Sequence, residues 1–317
     1  MGEISKMFEY TDEKNQASQK QAAWKFVNET SEALKLTRPA MKYHVSHEKC
    51  EYIASFCDGD GMITIRKNSA TAVVALYQSS GNDAAPPVLI EIQRLLGGAL
   101  LCGKMRKSKP EWRLLWQGAH CRPMLELMVK FGVVKKPQAR IALDVLNKVE
   151  ELGAGKVKPI AERKQIALLK KQTEALKISA NQLTIPYVAG LFDAEGYVGF
   201  QASSNRWMLK IAQLTCSPLL HALQTYYNAG YVDPTGAVCW NAKPKQLEIL
   251  SQIRPYLIVK AEQADLAITN LKKDQVRQKQ KRREHQLLED DEIEKKCKAL
   301  KRYKSNAAVV NEDEQKT

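Results

Sequence analysis

Apolar positions along this chain follow two alternating rhythms. Some windows repeat every three to four residues and predict helices. Others alternate every second residue, carry β-branched side chains and predict strands. Residues 47–58 predict a helix, and "MITIRKN" and "TAVVALYQS" predict strands. "PPVLIEIQRLLGG" predicts a helix with Pro at its start and Gly at its end. "ALLCGKMRK" and "EWRLLWQG" predict two more strands, then "RPMLELMVKFG" and "PQARIALDVLNKVEEL" two more helices. The order then recurs. "IPYVAGLFD" reads as a helix, "YVGFQAS" and "RWMLKIAQLT" as strands, and "SPLLHALQTYYNAG" as a helix. "YVDPTGAVCWNA" reads as a hairpin, followed by the helices "PKQLEILSQIRPYL" and "KAEQADLAITNLKK".

The repeat extends to individual residues. "YIASFCDGDGMITI" (52–65) aligns with "YVAGLFDAEGYVGF" (187–200), pairing Tyr52 with Tyr187, Ala54 with Ala189, Asp58 with Asp193, Asp60 with Glu195 and Gly61 with Gly196. Such self-similarity marks duplicated units. Ala54, Ser55, Ala189 and Gly190 are small, so the two helices can approach closely, as a central pair over 52–58 and 187–193 about a pseudo-two-fold axis. Gly61 and Gly196 are expected to permit a sharp exit into a strand. Asp60 and Glu195 then meet near the axis, where two carboxylates repel unless a cation lies beside them. Hard oxygen ligands suit Mg²⁺, an ion that assists phosphodiester hydrolysis. Asp58 and Asp193 are expected to serve structure, each at the scale of a helix-end hydrogen bond, about 0.5–2 kcal/mol.

The duplicated order sets the organisation: a helical arm over 1–46, halves over 47–150 and 183–272, a basic linker over 151–182, and a charged tail over 273–317. The chain has 317 residues with a formal net charge of +14, a balance that suits a polyanionic partner. Its seven cysteines form no C-x-x-C pair, which speaks against a zinc or disulfide framework and for thiols in a reducing compartment. No apolar run has the length to span a membrane and no signal-peptide pattern opens the chain, so we expect an intracellular protein of organelle or nucleus with no membrane partner.

"IASFCDGDG" and "VAGLFDAEG" resemble two copies of the motif that names the LAGLIDADG homing endonucleases. That resemblance implies an α+β fold of two pseudo-symmetric αββαββα halves. Their antiparallel sheets would form a DNA-binding saddle, packed through the central pair of motif helices. It implies a monomer that cuts both strands of a long double-stranded DNA site across the minor groove, leaves 3′ overhangs and serves intron homing. The cofactor would be Mg²⁺, with Mn²⁺ or Ca²⁺ as substitutes. The metal-binding acids carry over to Asp60 and Glu195, and the carbonyls before them to Gly59 and Ala194. Gln78 and Gln213, each 18 residues past its acid, match a polar position that orients water. Lys135 in "KKPQ" and Lys260 in "KAEQ" match a lysine that stabilises phosphate charge. Ser55 and Cys57 depart from the usual glycine and aliphatic residue.

Strand parity adds a candidate DNA surface. Ile63 and Ile65 belong under helices, leaving Met62, Thr64, Arg66 and Asn68 free. Val198 and Phe200 likewise leave Tyr197, Gly199, Gln201 and Ser203. Such a face can lie in the major groove. The alternative to the nuclease is a non-cleaving relative that binds DNA as a regulator or intron RNA as a maturase. Intact acids in both halves favour the nuclease.

Overall fold

A computed structural model of the chain describes residues 45–80, 84–106, 109–204 and 206–280, together with 283, 292 and 295. The expected arm before residue 45, and the tail beyond 280 apart from three isolated positions, lie outside the described residues. The chain divides into two compact units, 1–265 and 266–317.

Within the first unit, α1 (His47–Asp60) runs directly into β1 (Gly61–Ile65) and β2 (Ala72–Ser79). Next come α2 (Pro87–Leu96), β3 (Ala99–Arg106), β4 (Lys109–Gln117), α3 (Arg122–Phe131) and α4 (Lys136–Leu152). After α5 (Ile160–Leu169) the series restarts with α6 (Ile185–Glu195), β5 (Gly196–Gln201) and β6 (Arg206–Ala212). It closes with α7 (Ser217–Tyr227), β7 (Tyr231–Asp233), β8 (Ala237–Trp240) and α8 (Lys243–Ile253). Residues 261–280 are helical. The architecture is α+β, with two antiparallel four-stranded sheets of identical topology, β1-β2-β4-β3 and β5-β6-β8-β7.

The registers also repeat. Gly61 pairs with Leu76 in the first sheet, and Gly196 with Ile211 in the second. Each sheet is fastened to its helix by the same device. Trp116 Nε1 donates to the Leu96 carbonyl, and Trp240 Nε1 donates to the Ala229 carbonyl, both at 3.1 Å. Gly98 and Gly230 lie beneath these indoles with φ of +104° and +90°, and a Cβ at either would sit within 3 Å of the ring. Glycine is required twice over there, by handedness and by room.

The motif helices begin at side-chain caps: Ser46 Oγ accepts from Lys49 N, and Thr184 Oγ1 from Tyr187 N. Residues 52–58 of the first and 186–193 of the second are buried all round, because each helix faces its partner and its own half. Their contact is backbone to backbone. A Cβ built on Gly190 would lie 2.2 Å from both Ser55 Oγ and the Tyr52 carbonyl oxygen. One on Gly59 would lie 2.5 Å from Ala194 Cβ, so the C-terminal ends touch as well.

Gly61 and Gly196 make the sharp exit into a strand that the sequence predicts, and two other expectations change in detail. Gly61 and Gly196 have φ of −96° and −80°, which any residue adopts. Glycine is needed because a Cβ would strike the Cys57 or Phe192 carbonyl. Phe200 does share a face with Trp207, their rings 5.5 Å apart, yet it is 51% exposed. Parity fixes the face of a strand but not how far a helix covers it. The linker is helical only over α5, followed by short 3₁₀ turns at Thr173–Ala175 and Ala180–Gln182. It is docked on both halves: Arg163 donates to the Lys67 carbonyl, and Glu174 accepts from Ser217 N and Oγ.

The helix contact yields a stability test. Gly190→Ala overpacks the interface, with an expected loss of about 1–3 kcal/mol in urea denaturation. Ser55→Gly in the same chain should restore only part of it, because the Tyr52 carbonyl remains in the way.

Candidate functional site

The C-terminal ends of α1 and α6 carry four carboxylates that fall into two kinds. Asp58 and Asp193 are 1% and 0% exposed, and each accepts four hydrogen bonds. Asp58 takes Val133 N, Val134 N and Lys135 N at 2.6–3.1 Å, and Tyr187 Oη from the other motif helix at 2.6 Å. Asp193 takes Ile258 N, Val259 N and Lys260 N, with Tyr52 Oη at 2.7 Å. These are reciprocal clamps. Each carboxylate ties its helix end to the turn before a late helix of its own half, and each tyrosine reaches across the axis. Burial, then the facing aspartate, pushes both tyrosine hydroxyls well above the usual phenol range, so they remain donors.

Asp60 and Glu195 are the second kind. They are the last residues of α1 and α6, half-buried, and no hydrogen bond to either is made among the described residues. Burial and then the charge of Glu195 push the Asp60 carboxyl up to about 7, against the pull of Lys260 and Lys135. Burial also raises Glu195, opposed by the same two lysines. The pair is thus held without counter-donors at the point where the halves meet, a disposition common at functional sites.

Both lysines are placed by the clamps. Lys135 precedes α4, and its Nζ donates to the carbonyls of Cys57, Asp58 and Gly59 at 2.8, 2.5 and 2.9 Å. It therefore neutralises the helix C-terminus as well as standing near the acids. The Gly59 carbonyl is accordingly already an acceptor. Lys260 Nζ donates to the Asp193 carbonyl. Burial lowers its pKa, while Asp193, Asp60 and Glu195 draw it back up.

The glutamines are less alike. Gln78 pairs with Trp112 on the helix-covered face of the first sheet. Its Oε1 is buried without a hydrogen-bond partner, as is Trp112 Nε1. Gln213 lies just past β6, half-exposed, with its N–H donated to the Gly236 carbonyl at 2.8 Å. Ala194 adjoins Gly59 at the helix contact.

Met62 and Thr64 lie on the opposite face of the first sheet from the buried Ile63 and Ile65. Arg66 and Asn68 are exposed beyond the strand end. Tyr197 and Gln201 occupy the corresponding face of β5, where Lys210 stands over the Tyr197 ring at 5.7 Å. Ser203 falls in a 3₁₀ turn after it. Reading only the first strand of each half missed the residues paired beside these: Tyr77, Arg113 and Gln117 in one sheet, Arg206, Met208 and Lys210 in the other. The tyrosine clamps were missed too. Their signal is a Tyr six residues before the Asp in both motifs.

Among the described residues, no three His, Cys, Asp or Glu side chains gather into a metal cluster. Two carboxylates still fit Mg²⁺, which binds through one or two acids and completes its shell with water and phosphate oxygens.

No family model matches the chain, and no curated protein matches it. Solved structures do. The LAGLIDADG homing endonuclease I-GzeII, in complex with its DNA target, matches with a TM-score of 0.52 at 12% identity. That match covers 72% of this chain and 91% of the other. A point mutant of I-SmaMI matches with a TM-score of 0.53 at 15% identity, covering 71% and 92%. The I-SmaMI LAGLIDADG homing endonuclease bound to cleaved DNA matches at 0.50 and 14%, covering 73% and 90%.

The chain has the LAGLIDADG homing endonuclease fold. The two motif copies read from the sequence are the paired helices of that fold, and Asp60 and Glu195 close them.

Two measurements test these roles. Asp58→Asn replaces an acceptor of four donors with an amide that brings donors of its own. We expect a loss of about 2–4 kcal/mol in chemical denaturation, above the cost of a simple cap. Tyr187→Phe added to it should cost less than in the parent. Asp60 gives a pH signature in chelator. The folded carboxyl keeps its proton up to about 7, whereas an ordinary Asp loses it near 3.8. Folding takes up a proton in that window, so stability falls as pH rises through it. Asp60→Asn should flatten this slope and raise the melting temperature at pH 8 by calorimetry.

Proposed function

We propose that this protein is a site-specific double-strand DNA endonuclease of the homing type, hydrolysing phosphodiesters with a divalent metal across the minor groove and leaving 3′ overhangs. The observation that carries this reading is the pair Asp60 and Glu195. They are duplicated carboxylates at the touching ends of two equivalent helices, each followed directly by a sheet with one uncovered face. Structures of the same fold hold DNA: I-GzeII its DNA target, and I-SmaMI cleaved DNA. The net charge of +14 suits that polyanion.

In this reading Asp60 and Glu195, with the carbonyls of Gly59 and Ala194, hold Mg²⁺. When bound, the ion supplies Lewis-acid stabilisation of charge on phosphate oxygen. Lys260 and Lys135 add fixed positive charge beside the same point. Gln213 and Gln78 orient water from either sheet. Met62, Thr64, Arg66, Asn68, Tyr197, Gln201 and Ser203 contact the duplex from the uncovered faces. Asp58 and Asp193 act on the chemistry only by fixing the helix ends.

The reading is tested on a supercoiled plasmid bearing a site selected from a randomised duplex library, with Mg²⁺. Asp60→Asn and Glu195→Gln should each slow linearisation roughly 10²-fold or more, with folding and DNA binding retained and some single-strand nicking left. If both variants linearise the plasmid at the parent rate, the assignment of the acids is wrong. A parent that binds tightly but never cuts in Mg²⁺ or Mn²⁺ is a binding protein instead. Affinity should also fall steeply with salt, log K dropping by about 0.9 per log salt for each phosphate contact. A flat profile from low to moderate salt would exclude DNA binding on these faces.

A further inference from the structure

Leu214 is 79% exposed, the highest value among the exposed large hydrophobic side chains of the described residues. A single exposed leucine is ordinary in itself. This one has an uncommon address. It follows Gln213 just past the end of β6, whose Ile211 pairs with Gly196, the residue after Glu195. Leu214 therefore opens the turn that follows β6, on the end of the second sheet that carries the candidate site.

The turn is fixed from several sides. Gln213 N donates to the Gly236 carbonyl at 2.8 Å, and Cys216 N to the Gln213 carbonyl at 3.4 Å. Cys216 is fully buried with its Sγ toward the Thr173 carbonyl, and Glu174 accepts from Ser217 N at 2.9 Å. Gly236, at φ +78°, fits close behind: a Cβ there would come within 3.1 Å of Leu214 Cδ2 and 3.2 Å of its Cα. An apolar side chain is thus held on a rigid turn while covering little of the protein. The strand leading to it carries Lys210, two residues before its end, and Lys260 stands near Glu195. Those cations suit a phosphate backbone at the same end. The equivalent residue of the first half is Ser79, polar and exposed at the end of β2.

We propose that Leu214 is a specificity-determining contact of the second half, packing against sugars and base edges of the duplex beside Glu195. This rests on the endonuclease reading above. Apolar side chains set in a minor groove favour steps that unstack or bend cheaply, so they select sequence without hydrogen-bonding to a base. Leu214 would impose such a preference on one side of the cleavage centre, and Ser79 would impose none on the other.

The test uses the full chain with Mg²⁺ and a duplex library randomised at the base pairs around the cut, sequencing bound and cut products. Three proteins are compared: the parent, Leu214→Ser, which copies the first half, and Leu214→Met, which keeps an apolar side chain. Leu214→Ser should lose the parent's preference at those base pairs by about fivefold or more, the scale of one lost contact. Its preferences at flanking positions and its melting temperature should be unchanged, and Leu214→Met should retain the parent pattern. The proposal is overturned if Leu214→Ser keeps the central preference, loses preference evenly along the site, or lowers the melting temperature while leaving selection intact. A parent that enriches flanking positions but shows no central preference overturns it alone. A parent that enriches no sequence overturns the endonuclease reading, and this proposal with it.

Discussion

Two helices in backbone contact set the position of everything at the functional end of this protein. Gly190 has no room for a methyl group against Ser55 and the Tyr52 carbonyl, and Gly59 none against Ala194. Close approach of this kind leaves little slack along the axis, because packed interiors do not deform continuously. The helix ends are brought level, and whatever side chains stand there must share one small volume. Those side chains are Asp60 and Glu195. Their mutual repulsion follows from the packing, and the packing must be strong enough to sustain it.

Its strength comes from the other two carboxylates. Asp58 and Asp193 stand two residues earlier and are buried more deeply, yet they are satisfied: three backbone N–H groups and one tyrosine hydroxyl each. A carboxylate with that many donors is stable in a low-dielectric interior, whereas one without them is pushed toward its neutral form. Environment rather than residue type therefore separates the clamps from the site. The same turns deliver Lys135 and Lys260, so the acids that hold the helices also place the cations that stand near Asp60 and Glu195.

The two halves share a frame but not a site. Lys135 spends its donors on three carbonyls of α1, while Lys260 makes one such bond and has its pKa lowered by burial. Gln78 faces Trp112 inside the first sheet, while Gln213 stands opposite Gly236 at an open turn. One acid is Asp and the other Glu. Duplication preserved the residues that close the helix pair and let those around each acid diverge.

By itself the sequence determined a good deal. Alternation and helical spacing gave the order of elements in both halves. The in-register copies gave the helix pair, its small interface residues, and Asp60 and Glu195 as the residues that end it. These features are local or repeated, so they leave a periodic trace. What only the tertiary structure decided are the contacts between distant segments. Tyr52 reaches Asp193, Tyr187 reaches Asp58, and the 133–135 turn closes on α1; the repeated Tyr-to-Asp spacing marks the tyrosines but not that each bonds the aspartate of the other helix. Parity named the right faces but not where the cover ends, which is why Phe200 lies exposed. Which atom requires glycine at Gly61 and Gly196, the carbonyl one turn back, also came only from the packed structure. A chain writes its periodicities into its sequence, but which donors meet a buried charge is settled only when the folded backbone brings them to about 3 Å.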